Sequence, residues 1–313
     1  MSDALPALPL HEWRQTKDTL HLWVQIVGKV KLASTPPENH WWNVPLYVDV
    51  RGLTTRRMHQ HDIAFSVDFD FIDHRLIVRT DRGRVEWFDL IDGLSVAEFD
   101  DRFHELLAHA GVDVAIREQP FGVPMITPFP DDQEHARYQA EYVERFWRAL
   151  GWADEVFTEF RGWFCGKSSP VHLFWHSLDL AVTRFSGRRA PVVAGRDPVT
   201  DEAYSHELIS FGFWAGDDSI GDAAFYSYTA PEPEGLRDQV LYPADAHWVE
   251  QGAGSLAVLA YDSVRASDDP EATLLGFLES GYQAGVRTAG WDEDGLNSSF
   301  CPSPQQLQQA YFR

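Results

Sequence analysis

The stretch IAFSVDFDFIDHRLIVRTDRGRVEWFDL, residues 63 to 90, decides the fold class. Ile63, Phe65, Val67, Phe69 and Phe71 alternate with Ala64, Ser66, Asp68 and Asp70. A strict period of two puts every second side chain on one face, so this is a strand with one side in a core. Asp73-His74 turns the chain, Leu76 to Thr80 returns, Asp81-Arg82-Gly83 turns it again, and Val85 to Leu90 runs back. Upstream, Val44, Leu46, Val48 and Val50 alternate with polar or exposed types until Gly52. Four strands joined by short turns predict an antiparallel meander.

Outward from the meander, the chain alternates between helix and strand patterns. Leu20, Trp23, Val24, Val27 and Val30 recur at helical spacing, and Ser34-Thr35-Pro36-Pro37 ends that helix. Its opposite side carries Lys17, His21, Gln25 and Lys29, four residues apart, which reads as a solvated face unless it meets the other lobe. After the meander, Ser95-Val96-Ala97-Glu98 has capping-box spacing and opens a helix that Gly111 closes. A short strand is expected at Val112 to Ile116. Pro120, Pro124, Pro128 and Pro130 then make an extended linker over residues 119–132. A second lobe follows over 133–292. It is expected to hold helices at Gln133 to Leu150 and around Val156 to Phe164, and a long strand from Val171 to Phe185. Further strands are expected at Tyr204 to Trp214, Ala224 to Ala230 and Ser255 to Tyr261, before a helix capped by Asp269-Pro270. The fold expected is therefore α+β, two lobes (1–118 and 133–292) each with a mainly antiparallel sheet flanked by helices, and a polar tail at 293–313. Leu76-Ile77-Val78 before Gly83-Arg84 is echoed by Leu180-Ala181-Val182 before Gly187-Arg188, the pattern an internal duplication would leave.

Of 313 residues, 44% are hydrophobic and 13% aromatic, enough for one large core or two ordinary ones. The 26 basic and 48 acidic residues give a formal charge of −22, which repels phosphate backbones and anionic lipid, so neither nucleic acid nor a membrane surface is an expected partner. The N-terminal residues show no basic and apolar leader pattern, and a cytoplasmic location is expected. Cys165 and Cys301 do not form a disulfide or thiolate pattern.

Candidate functional residues gather on the strand KSSPVHLFWHSLDLAVTRFSGRR, Lys167 to Arg189. Read as one strand, it puts His172, His176 and Arg184 on one face and Trp175, Ser177 and Asp179 on the other. Tyr204, His206 and Trp214 share a face of the strand expected beside it. Such a set would hold a small anionic or polar molecule, with Arg184 and Arg188 meeting the anion because a guanidinium does not shed its charge. A second candidate group, His21, His40 and Arg51, belongs to the first lobe.

Other motifs are excluded on physical grounds. Gly166-Lys167-Ser168 lacks the first glycine of a phosphate loop, and Pro170 forbids the helix that should follow. Gly252-Ala253-Gly254 precedes a strand rather than a helix, so it is not a dinucleotide site. His172 and His176 on a strand stand roughly 13 Å apart and cannot share one ion, and His59-Gln60-His61 sits in an expected loop. No metal and no cofactor are expected, and no nucleophile elbow is present.

The segments TLHLWVQIVGKVKLA, NHWWNVPLYVDVRGLTT, DFDFIDHRLIV, GKSSPVHLFWHSLDLAVTRFSGRRAP, YSHE and FYSYTAPEP resemble a family of uncharacterised bacterial proteins, a domain of unknown function, from His11 to about Asp292. The resemblance implies no activity and no site residues. The leading expectation is a small-molecule-binding protein, with or without catalysis, and the alternative is an interaction or scaffold protein. The tryptophans separate the two: Trp41, Trp42, Trp175 and Trp214 should line a concavity in the first case and a flat exposed patch in the second.

Overall fold

The computed structural model describes residues 5–296 apart from 219 and 253. The rest of the expected polar tail, with Cys301, lies outside the described residues. The chain forms α1 (Leu10–Ala33), β1 (Tyr47–Asp49), β2 (Gly52–Thr54), β3 (Met58–Gln60), β4 (Ile63–Asp70), β5 (Arg75–Thr80), β6 (Val85–Asp89) and α2 (Val96–Ala110). It continues with α3 (Ala140–Gly162), β7 (His172–Phe174), β8 (Asp179–Arg189), α4 (Pro198–Ala203), β9 (His206–Trp214), β10 (Ala224–Ala230), β11 (His247–Gln251), β12 (Gly254–Ala260), α5 (Tyr261–Arg265), α6 (Pro270–Ala289) and α7 (Glu293–Leu296). Two six-stranded antiparallel sheets result, so the protein is α+β with two sheet-based lobes.

In the first sheet the strands run β1-β2-β4-β5-β6, and β3 also pairs with β4. The meander forms because Phe65, Val67 and Phe69 of β4 face the same side as Leu76 and Val78 of β5. Phe99 of α2 stacks on Phe69 and on Trp23 of α1. Ser95 caps α2 as its spacing predicts, accepting a bond from the Glu98 amide at 3.1 Å, and Gly111 ends it in the left-handed conformation. In the second sheet the order is β11-β12-β10-β9-β8-β7. The two orders differ, and Gly83 sits in a turn whereas Gly187 lies within β8, so the sequence echo does not extend to the topology.

Four expectations are corrected. The two helices expected between residues 133 and 164 are one, α3 over Ala140–Gly162, because Gly151 is tolerated where both flanking turns bury Phe146, Leu150, Phe157 and Phe160, and residues 133–139 are not helical. Val112 to Ile116 pairs with no strand, although Val112 and Val114 are buried. Residues 58–60, read as loop, form β3 against β4. The expected strand from Val171 to Phe185 is a hairpin: β7 and β8 pair antiparallel, with His172 opposite Ala181, and residues 175–178 make the turn.

Of the two placements expected for the polar line on α1, in water or against the other lobe, the structure has the second. Lys17, His21, Gln25 and Lys29 are all buried, because α1 belongs to both lobes. Trp23 packs on α2 and Trp13 on Phe146 of α3. The lobes are further tied by a reciprocal pair of backbone hydrogen bonds between Leu46 and Leu173, each 2.8 Å, and one apolar core runs from Leu8 to Trp291. The linker is anchored as well, with Phe129 fully buried and Phe121 bonded to α1 through Gln25. Among the described residues no helix is long and apolar enough to cross a membrane.

Candidate functional site

A cavity of about 700 Å³ opens between the second sheet, the C-terminal half of α1, residues 39–44, residues 115–121 and α4. That volume suits a small organic ligand. Its floor exists because the middle of the sheet carries small residues: Ala181 lies opposite Gly212, and Thr183 opposite Ser210. Tyr226, opposite Gly212 in the register, lies flat across β9. A Cβ on Gly212 would stand 2.3 Å from the Tyr226 ring, so only glycine admits this pose. The Tyr226 hydroxyl thereby reaches Asp179 on β8 and donates to its carboxylate, which also accepts from the Ser177 hydroxyl. Tyr228 and Tyr204 hydroxyls stand 3.2 Å apart, and those of Thr183 and Ser210 3.0 Å. Burial, with Asp179 nearby, raises the Tyr226 phenol well above its ordinary range, so it stays a donor.

One wall is the turn between β7 and β8, which α1 holds in place. The His21 Nε2–H donates to the carbonyls of Trp175 and His176, both at 3.1 Å. Burial, and then the neighbouring Lys17, push His21 down to about 3, so the imidazole is neutral. Gln25 donates to the Phe121 carbonyl at 2.9 Å and accepts from its amide at 2.8 Å, fixing the linker beside the same turn. Gly28 lets the Trp175 ring pack directly on the helix, since a Cβ there would meet it at 2.2 Å.

Lys29, the last member of the polar line, reaches the cavity. It is 8% exposed, and its ammonium lies 5.8 Å from the ring centres of Phe129 and Trp175. Among the described residues it has no carboxylate partner. Burial, and then Arg117 on the rim, lower its pKa.

The opposite wall is Trp41 and Trp42, with Phe185 and His40. His40 and Trp41 both adopt left-handed backbone conformations, with φ of 57° and 60°. Such residues persist only where contacts hold them. Here the contacts run to α4: the Trp41 indole donates to the Val199 carbonyl at 2.9 Å, the His40 amide to Glu202 at 2.9 Å, and His40 Nδ1–H to the Ala203 carbonyl at 3.3 Å. With Nδ1 protonated, His40 Nε2 accepts from the Lys167 ammonium at 2.8 Å. Burial and then Lys167 lower the His40 pKa, which keeps the ring neutral, and the Ala203 carbonyl and Lys167 set its tautomer.

Of the residues expected from sequence, His172, His40 and Tyr204 line this cavity. His172 is buried with no partner for Nδ1, and burial, then Lys31 and Arg56, push it down to about 3. His206 stands behind His40, ring to ring at 5.4 Å. His21 acts through the turn, and Trp214 lies at the Asp179 end of β9, outside the lining.

The three arginines are corrections. Arg184 is 1% exposed and points to the far side of the sheet, where it donates to the Phe160 carbonyl and lies 3.5 Å over the Phe160 ring and 4.4 Å over Tyr282. It faces no open pocket, because the turn at 175–178 resets the alternation that had grouped it with His172. Arg188 pairs with Glu207 at 2.8 Å and donates to the Ala289 and Gly290 carbonyls at the end of α6. Arg51 pairs with Asp70 and Asp73 on the first sheet.

Sequence reading missed Tyr226, Tyr228, Phe121 and Arg117 as lining residues. The alternation in Phe225-Tyr226-Ser227-Tyr228 carried the signal for the two tyrosines; nothing local marked the other two. Among the described residues no group of three or more metal-ligating side chains converges.

Comparison with known proteins returns one family model, over residues 5–298, described as a family of unknown function (DUF5996). No curated protein and no solved structure matches.

Proposed function

For a chain that belongs to DUF5996, a family whose description assigns no activity, we propose that the cavity binds a small molecule with an apolar or aromatic body and an anionic group. The observation that carries this reading is Lys29. A buried ammonium without a carboxylate partner is costly unless something from outside completes it. It sits where aromatic walls can hold an apolar body, and Arg117 on the rim adds attraction for an anion. The tryptophans support a ligand site over a flat docking surface, since Trp41, Trp42 and Trp175 line the concavity.

The test is calorimetric and thermal titration of the full chain with 3-phenylpropionate and 3-indolepropionate. The wild type should bind and melt higher, whereas Lys29→Met, close in length and apolar, should lose about tenfold or more in affinity. Equal binding by both proteins would remove Lys29 from the site, and failure of the wild type to bind any aromatic ligand that carries an acid group would sink the reading.

A further inference from the structure

We infer that the cavity takes a zwitterion, with an ammonium group against Asp179 and the acid group against Lys29. This rests on the reading above and adds the second pole of the ligand.

Asp179 is the first residue of β8, placed by its register with Phe174 on one side and Trp214 on the other. Its carboxylate turns to the cavity side and is 8% exposed. Both of its protein donors, Ser177 and Tyr226, are neutral hydroxyls, one to each oxygen. Each oxygen keeps a lone-pair site, and among the described residues no lysine or arginine pairs with it. The arginine nearest in sequence on β8, Arg184, is spent on the far face. His176 is the neighbouring titratable group. Burial holds its pKa below the ordinary range although Asp179 pulls it upward, so at neutral pH it leaves the carboxylate uncompensated.

Two buried charges of opposite sign thus face one cavity, and among the described residues neither has an ionic partner. In an enclosed site of low dielectric such charges discriminate strongly. A plain anion meets Lys29 but is repelled by Asp179. A plain cation meets Asp179 but is repelled by Lys29. A molecule carrying both an amine and an acid satisfies the two poles and places its body between Trp175 and the Trp41-Trp42 wall. The substrate class is therefore an amino acid with a large apolar side chain, or an amine-bearing acid of like bulk.

Matched ligands test this on the full chain by titration calorimetry: L-tryptophan, 3-indolepropionate and tryptamine, then L-phenylalanine, 3-phenylpropionate and phenethylamine. The zwitterion should bind about tenfold or more tighter than its acid without the amine. Asp179→Asn, isosteric, accepting from one of the two hydroxyls and donating to the other, should bring that ratio to about twofold or less and raise the affinity for the simple acid. If the wild type binds acid and zwitterion equally, the amine pole is wrong and the Lys29 reading stands. If the bare amine binds as tightly as the zwitterion, or if neither acid-bearing ligand binds, the reading beneath it falls as well. The wild-type comparison decides the matter even if the variant fails to fold.

Discussion

The outer face of β4 to β6 and the cavity face of β8 to β10 are written with the same alternation, yet they treat their charges in opposite ways. On the first sheet Asp68 pairs with Arg79 across neighbouring strands, Asp89 with Arg75, and Asp70 with Arg51. Arg75 also covers the Trp87 ring at 3.9 Å. The charges there are mutually satisfied in water, and the face is complete. On the second sheet the donors to Asp179 among the described residues are hydroxyls, and the polar residues lie under a roof made by α1, α4 and the segment bearing Trp41 and Trp42. A polar stripe on a strand therefore means solvent in one lobe and a floor in the other. What differs is whether another part of the chain returns to cover it.

The most disruptive way to break this contrast is to remove the gap under Tyr226. Gly212→Val should displace that ring, detach its hydroxyl from Asp179 and abolish ligand binding. Stability should fall by about 1–3 kcal/mol, as overpacking does. Urea denaturation with parallel titration checks this, and a variant that keeps both properties would show that the floor does not shape the cavity.

Acid should separate the two lobes next. His21 and His172 are neutral in the fold, with pKa values pushed to about 3 from an ordinary 6.5. Unfolded chain thus binds more protons than folded chain between those limits. Stability is fully present above about 6.5 and falls as pH drops toward 3, at up to about 1.4 kcal/mol per pH unit for each histidine. Asp70 is also depressed, by its Arg51 partner and backbone amides against burial, but its contribution is lost only below its ordinary 3.8. Melting from pH 7 to 4.5 should accordingly weaken the histidine-bearing contacts around β7 and α1 first. His172→Phe should flatten the slope, and an unchanged slope would refute the assignment.

A smaller effect is expected at Arg184. Its guanidinium is enclosed by aromatic rings rather than paired with a carboxylate, and burial lowers its pKa to about 10. Arg184→Met should cost about 1 kcal/mol or less, because the desolvation penalty disappears with the charge, and it should leave binding of 3-indolepropionate untouched. Loss of binding would return Arg184 to the site. Smallest of all, Arg79→Ala on the first sheet should change stability by about 0.5 kcal/mol or less, as exposed pairs do. A larger loss by urea denaturation would mean that the outer face is more than a solvent face.

Much of the second lobe was legible. β10 falls on the expected residues, and Asp269 caps α6 as its sequence predicts, accepting from the Ala272 amide at 3.0 Å. The site was legible only in part. His172, His40 and Tyr204 were named for the cavity, while Arg184 was named for it wrongly and Asp179 was set on the wrong face. One cause explains both errors. The turn at Trp175-His176-Ser177-Leu178 contains no glycine, proline or asparagine, and Leu178 is held at a φ of 53° while 2% exposed. Nothing local announces such a turn.

The sequence by itself determined the helices with caps, the strands with a clean period of two, the α+β class and the surplus of acid, because each follows from neighbours along the chain. Tertiary structure alone decided the turn that α1 clamps through His21 and Gln25, and so which face each residue of β8 presents. It also decided the burial of the polar line on α1 and the meeting of Lys29 with Asp179 around one cavity. Those outcomes depend on hydrogen bonds between residues more than ninety positions apart, and no local pattern encodes such a bond.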